Sequence, residues 1–122
     1  EESIAKRAAE GWGGDRLLAV RKTDVGSPLI LVHLTLWDSA ADAREYTNAE
    51  RHLFLDRKLQ PLSGAPEADL WLYRDPDGLE WSIQLAGEQV LTLTGIPPEL
   101  RPTLQREVWQ SWRVDGGKLD LP

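Results

Sequence analysis

Between Leu29 and Trp37 the chain alternates. Ile30, Val32, Leu34 and Leu36 share one side of an extended backbone, and Leu29, Leu31, His33, Thr35 and Trp37 share the other. This predicts a long strand with one aliphatic face that must be covered and one mixed face, half-exposed or lining a cleft. Asp38-Ser39-Ala40-Ala41-Asp42 follows at once and reads as a helix start, with Asp38 or Ser39 accepting from the free amides of the first turn.

The rest of the chain is punctuated around this junction. Ile4, Ala5, Ala8, Ala9 and Trp12 recur at helical spacing and predict a short helix over Glu1 to Gly11, the continuation of an upstream helix. A glycine-rich turn, Gly11 to Arg16, leads into a strand over Leu17 to Arg21. The turn Thr23 to Pro28 then makes an antiparallel hairpin with the central strand. Ala43, Tyr46, Ala49 and Leu53 give the second helix its stripe from Ala40 to about Leu59, closed by Pro61, Ser63, Gly64 and Pro66. Leu70 to Arg74 is a strand, and Asp75-Pro76-Asp77-Gly78 is a turn. Leu79, Trp81, Ile83 and Leu85 alternate with Glu80, Ser82, Gln84 and Ala86, which predicts a half-buried strand with one apolar face. Gly87-Glu88 turns into a fifth strand, Gln89 to Thr94. Gly95-Ile96-Pro97-Pro98-Glu99 opens a last helix with its stripe at Leu100, Leu104, Val108 and Trp112, and residues 113–122 form a loosely held tail.

The predicted order is α-β-β-α-β-β-β-α. It describes an α+β fold: a five-stranded antiparallel sheet with helices packed mainly on one face. Residues 1–122 are expected to form a single domain cut from a longer protein.

Composition narrows the function classes. Hydrophobic content of 41% and charged content of 28% fit a soluble globular chain. A net charge of −6 argues against a broad nucleic-acid surface, which needs clustered Lys and Arg. The basic pair Arg57–Lys58 sits beside Asp56 and reads as a solvated helix face. No cysteine is present, which removes disulfides, thiolate metal sites and cysteine nucleophiles and is compatible with the cytosol or the cell exterior. No apolar run approaches the ~20 residues of a membrane span. There is no methionine, position 1 included, so the chain is expected to begin inside a longer product: a tag removed, a signal peptide cut, or an upstream domain preceding it.

Candidate chemistry is sparse. Gly11 to Arg16 has a helix before it and a strand after it, with no lysine, the reverse of a phosphate-binding loop. Its plainer role is a tight turn in which Asp15 and Arg16 point apart and Trp12 packs on the core. His33 lies mid-strand and His52 mid-helix with no local ligand pair, so neither metal nor cofactor is expected. On the mixed face His33 could meet Trp37 and a carboxylate and act as acid or base. No nucleophile elbow exists, and Asp75 to Gly78 lacks the length and later carboxylates of a calcium loop. Six tryptophans are many for this length. Trp12, Trp109 and Trp112, with Asp15, Arg16, His33 and Trp37, make up the candidate interaction surface.

Two stretches carry a resemblance. Ala8-Ala9-Glu10-Gly11-Trp12-Gly13-Gly14-Asp15-Arg16-Leu17 and Leu34-Thr35-Leu36-Trp37-Asp38-Ser39-Ala40-Ala41-Asp42-Ala43-Arg44-Glu45-Tyr46 resemble the C-terminal part of uncharacterised secreted or surface proteins of bacteria and archaea. In those proteins a zinc-peptidase-like HExxH helix precedes a GW-GDR turn and a strand–helix junction of this kind. The resemblance implies an extracytoplasmic, non-catalytic accessory or interaction domain, partnered by an upstream domain of the same polypeptide or by another protein. The metal ligands of that upstream portion have no counterpart here. Leu36-Trp37-Asp38-Ser39 also resembles the dimeric α+β barrel group, which includes cofactor-independent monooxygenases. That alternative implies a small-molecule enzyme, a twofold dimer through the sheet, and a pocket near His33 and Trp37. Three consecutive strands after the long helix depart from the barrel pattern.

Overall fold

The computed structural model describes residues 12–21, 29–62 and 69–113, with the side chains of residues 12, 13, 20 and 21 outside that description. The predicted helix over Glu1 to Gly11, the turn at 23–28 and the tail from 114 onward lie outside the described residues. The elements in chain order are β1 (Trp12–Arg21), β2 (Leu29–Trp37), α1 (Ala40–Asp56), β3 (Gln60–Leu62), β4 (Leu70–Arg74), β5 (Glu80–Ala86), β6 (Gln89–Ile96) and α2 (Arg101–Ser111). The strands form a single antiparallel sheet in the order β1-β2-β6-β5-β4-β3. The α+β class and the antiparallel sheet hold. The strand count of five does not, because Gln60-Pro61-Leu62 pairs with Leu72 to Arg74 and adds a sixth. Proline is tolerated there because β3 is an outermost strand and needs no amide on its free side.

The second correction concerns the helices, which cover opposite faces of the sheet. Val32 and Leu34 of β2, Leu91, Leu93 and Ile96 of β6, and Val108 of α2 form one core, with Leu104, Trp109 and Trp112 against it. Trp37, Ala43, Tyr46, Phe54, Leu59, Tyr73, Ile83, Leu85 and Val90 form the other, beneath α1. The two parities of β2, β5 and β6 are therefore both buried. Glu80 and Ser82 illustrate the consequence. Expected on a solvated face, they are 8% and 1% exposed, because α2 covers that side.

The local chemistry explains each boundary. Ser39 Oγ accepts from the Asp42 amide at 3.0 Å and starts α1. The helix ends at Asp56, three residues before the predicted Leu59, since Lys58 takes a left-handed φ of 61° and folds Leu59 back into the core at 5% exposed. Arg51 lies 4.6 Å over the Trp71 ring and Arg57 6.0 Å over Trp81, so Arg57 covers an aromatic surface as well as facing water. The Asp75–Gly78 turn is held by Asp75, whose carboxylate accepts from the Asp77 and Leu79 amides and from the Trp81 indole at 2.9, 3.0 and 3.0 Å.

Gly95, read from sequence as a helix opener, belongs to β6. Glu80 faces Ile96 while Ser82 faces Leu93, so β6 carries one residue more than β5 across this step. Gly95 absorbs it at φ 71°, a glycine-led β-bulge. Its missing side chain also lets β6 pass close by Leu29, whose carbonyl oxygen would lie 2.8 Å from a Cβ. The extra residue turns Ile96 to the same face as Leu93, where both are 0% exposed beneath α2.

α2 is held to the sheet by polar groups as much as by apolar ones. Arg101 Nε donates to Glu80 Oε1 at 2.6 Å, and Arg74 reaches the other Glu80 oxygen at 3.5 Å. Arg101 also donates to Gln105, Gln105 donates to Gln84 Oε1, and the Trp109 indole donates to the same oxygen at 2.6 Å. With Glu80 and Arg101 side chains only 10% and 12% exposed, the pair is desolvated and each depends on the other. Arg101→Met is expected to cost about 2–3 kcal/mol in chemical denaturation, less than a fully orphaned buried charge because Arg74 remains. An unchanged midpoint would show that the network does not hold α2.

Candidate functional site

Two features stand out once the faces are assigned: a line of polar side chains where β2 and β6 meet α1, and the outer edge of the sheet at β1. The polar line begins on β2. His33 pairs with Leu17 on one side and Thr92 on the other, and odd-numbered β2 residues point toward α1, so His33 and Thr92 lie side by side on that face. Asp15 is opposite Thr35, one diagonal step from His33, and its Oδ2 is 2.8 Å from His33 Nε2. This His–Asp pair is half-open to solvent, with side chains 30% and 38% exposed. Further in, Tyr46 of α1 donates its hydroxyl to Glu50 Oε1 at 2.7 Å and also bonds the Thr92 side chain. The Tyr46 ring packs on Trp37 with centroids 4.6 Å apart, and the Trp37 indole donates to Thr35 Oγ1 at 2.8 Å. The sequence of groups Asp15–His33–Thr92–Tyr46–Glu50 thus runs from the sheet surface to beneath the helix. A histidine oriented by a carboxylate is the arrangement an acid or base requires. Among the described residues no group of three or more His, Cys, Asp or Glu is placed to hold a metal ion.

The second feature is the edge. β1 is ten residues long and bonds only β2 in the sheet. Residues 15–19 are all exposed, with Leu17 at 60% on the α1 side and Leu18 at 44% on the α2 side. Leu29, at 39%, extends the apolar surface on β2. α1 packs mainly across β5, β2 and β6, and α2 mainly over β6. The opposite edge is blunt: β3 has three residues, one of them proline.

The residues marked from sequence separate accordingly. Asp15 and His33 come together on the α1 side. Arg16 lies on the other side, its guanidinium 5.7 Å from the Trp112 ring. Trp109 and Trp112 are half-buried, part of the packing under α2 and not an open patch. Trp37, expected on a contact surface, is a core residue at 4% exposed because it sits beneath Tyr46. The β1 backbone carries Trp12 opposite Trp37, while the Trp12 side chain lies outside the described residues. Tyr46, Glu50 and Thr92 were not singled out. The four-residue spacing of Tyr46 and Glu50 on one helix was a usable signal. Thr92 had none, since its place beside His33 depends on β2 pairing with β6.

Burial raises the Tyr46 phenol far above its ordinary value, and the charge and hydrogen bond of Glu50 push it further; Thr92 pulls modestly the other way. A folded-state value above the unfolded one means that this contribution to stability is complete below the unfolded phenol's pKa of about 10 and fades as pH rises past it. Denaturation from pH 8 to pH 11 is therefore expected to show a steeper alkaline loss in the parent chain than in Tyr46→Phe. Equal slopes would place the Tyr46 hydroxyl in contact with water.

Among curated proteins and among solved structures, nothing matches the chain. A family model, a domain of unknown function, matches residues 1–104 and so takes in β1 through β6 and the first residues of α2. On that coverage the chain belongs to the DUF8575 family.

Proposed function

We propose that this chain is a non-catalytic protein-interaction domain that receives its partner along β1. The observation that carries the reading is the edge itself: a ten-residue strand that, among the described residues, pairs on one side only, with leucines more than two-fifths exposed on both faces. Unpaired amides and carbonyls supply sequence-independent affinity for an added strand, and the flanking leucines supply apolar area on either side of it. The blunt β3 edge limits such pairing to one side of the sheet. The GW-GDR turn and the Trp37-Asp38-Ser39 junction support placing the domain as an accessory module in an exported, peptidase-like parent. No helix among the described residues is long and apolar enough to cross a membrane.

A second reading, a small-molecule acid–base enzyme, is favoured by the His33–Asp15 contact beside Thr92 and Tyr46. The twofold dimer through the sheet that the barrel resemblance implies would have to displace α1 or α2, because both faces of the central strands are already covered. This lowers its standing against the edge reading. The two predict different responses at different residues. A photo-crosslinking side chain at Leu18 is expected to give a protein adduct of defined mass in the producing cell, whereas one at Gln60 on β3 gives none. Equal or absent labelling at the two positions would sink the edge reading.

A further inference from the structure

We infer that Tyr46 is a redox-active site, which gives up one electron through the Trp37 ring stacked on it while its phenol proton passes to Glu50. This concerns the interior beneath α1 and is independent of what pairs with β1. Cysteine and methionine, side chains that ordinarily take up oxidising equivalents, are both absent from the chain, which holds six tryptophans and two tyrosines. An oxidant that attacks by electron transfer therefore meets aromatic rings. Trp71 and Trp81, half-buried against the same core as Trp37 and Tyr46, offer it a way in.

Several contacts select Tyr46. A phenol that loses an electron must also release its proton, and the Tyr46 hydroxyl already donates to Glu50 Oε1 at 2.7 Å. The Trp37 ring is in direct contact, with centroids 4.6 Å apart, so no group intervenes in the electron's path. The Thr92 hydroxyl bonds the phenolic oxygen as well and remains a donor to it once the proton has left. At 8% exposed, the ring is shielded from radicals on other molecules. Tyr73 is as deeply buried, yet among the described residues no carboxylate is bonded to its hydroxyl, and its ring meets Phe54.

The external oxidant is a one-electron radical such as azidyl, which takes an electron from a tryptophan. When the vacancy reaches Trp37, its Nε1–H stays bonded to Thr35 Oγ1 at 2.8 Å, and the indole radical cation is restored by an electron from Tyr46. The phenol O–H bond breaks, an O–H bond forms on Glu50, and a neutral phenoxyl remains. Near neutral pH a phenol that sheds its proton is easier to oxidise than an indole, so the vacancy settles there. A small reductant of the ascorbate class returns the electron, and Glu50 returns the proton.

Pulse radiolysis of the full chain in azide solution tests this, followed by electron paramagnetic resonance on samples frozen after the pulse. Indolyl absorbance is expected to decay into phenoxyl absorbance at a rate independent of protein concentration, more slowly in deuterium oxide, and ascorbate should restore the starting spectrum. Tyr46→Phe should abolish the conversion, whereas Tyr73→Phe leaves it unchanged. Glu50→Gln keeps the side-chain shape without a carboxylate to take the proton and should slow the conversion about tenfold or more, a response that a merely structural role would not give. Near-ultraviolet circular dichroism reports whether each variant is folded, and Glu50→Gln with the isotope effect carries the test if Tyr46→Phe is not. Phenoxyl that forms equally in Tyr46→Phe places the radical on Tyr73 and overturns the assignment. Indolyl radicals that persist unconverted in the parent chain overturn it as well, and an unchanged rate in Glu50→Gln removes Glu50 as the proton acceptor.

Discussion

The fold depends on burying three strands, β2, β6 and β5, from both sides at once. Val32, Leu34, Leu91, Leu93 and Ile96 on the α2 side and Ile83 and Val90 on the α1 side are almost completely removed from water. Buried apolar area is the main stabilising term in a chain of this size, roughly 25 cal/mol for each Å². A sheet roofed on one face would leave one or the other of these groups in solvent. The crossover α1 and the terminal α2 each cover one face, and the Gly95 bulge keeps Ile96 beneath α2 as the strand runs out.

The two helix contacts differ in kind. α1 packs through aromatic and aliphatic side chains, with Phe54 edge-on to Tyr73 and Trp81 and with Tyr46 on Trp37. α2 has a shorter apolar stripe and relies on Glu80, Gln84 and Gln105 being matched by Arg101 and Trp109. A matched polar interface is less forgiving of sliding, because a shift of one residue would leave a charge buried without its partner. The orientation of α2 on β5 is thereby specified, and with it the position of Trp112 beneath Arg16 at the β1 edge.

Two-sided coverage ends before β1. The central strands are sealed, while among the described residues the long outer strand bonds only β2 and residues 15–19 are exposed, next to the half-exposed His33–Asp15 pair on the α1 side. That contrast ties the fold to the proposed role. A packed sheet presents its outer strand already extended, and preorganisation of that sort lowers the cost of adding a partner strand.

Much of this was legible in the residues. The alternation of β2, the Ser39 cap, the Asp75–Gly78 turn and the strands around it follow from local periodicity and turn chemistry, which act over a few residues. So did the pairing of β1 with β2. What local pattern could not carry was which faces were covered. Glu80 and Gln84 looked like a solvated face because their polarity is answered by α2 side chains some twenty residues away. β3 was hidden by Pro61, and the bulge by a glycine that also suits a helix start. The candidate site shows the same division. The sequence by itself determined which strands and helices form and that His33 sits on a mixed face. Only the tertiary structure decided that Asp15, Thr92 and Tyr46 surround it and that β1 lies at the edge, because strand order is set by contacts between residues far apart in the chain.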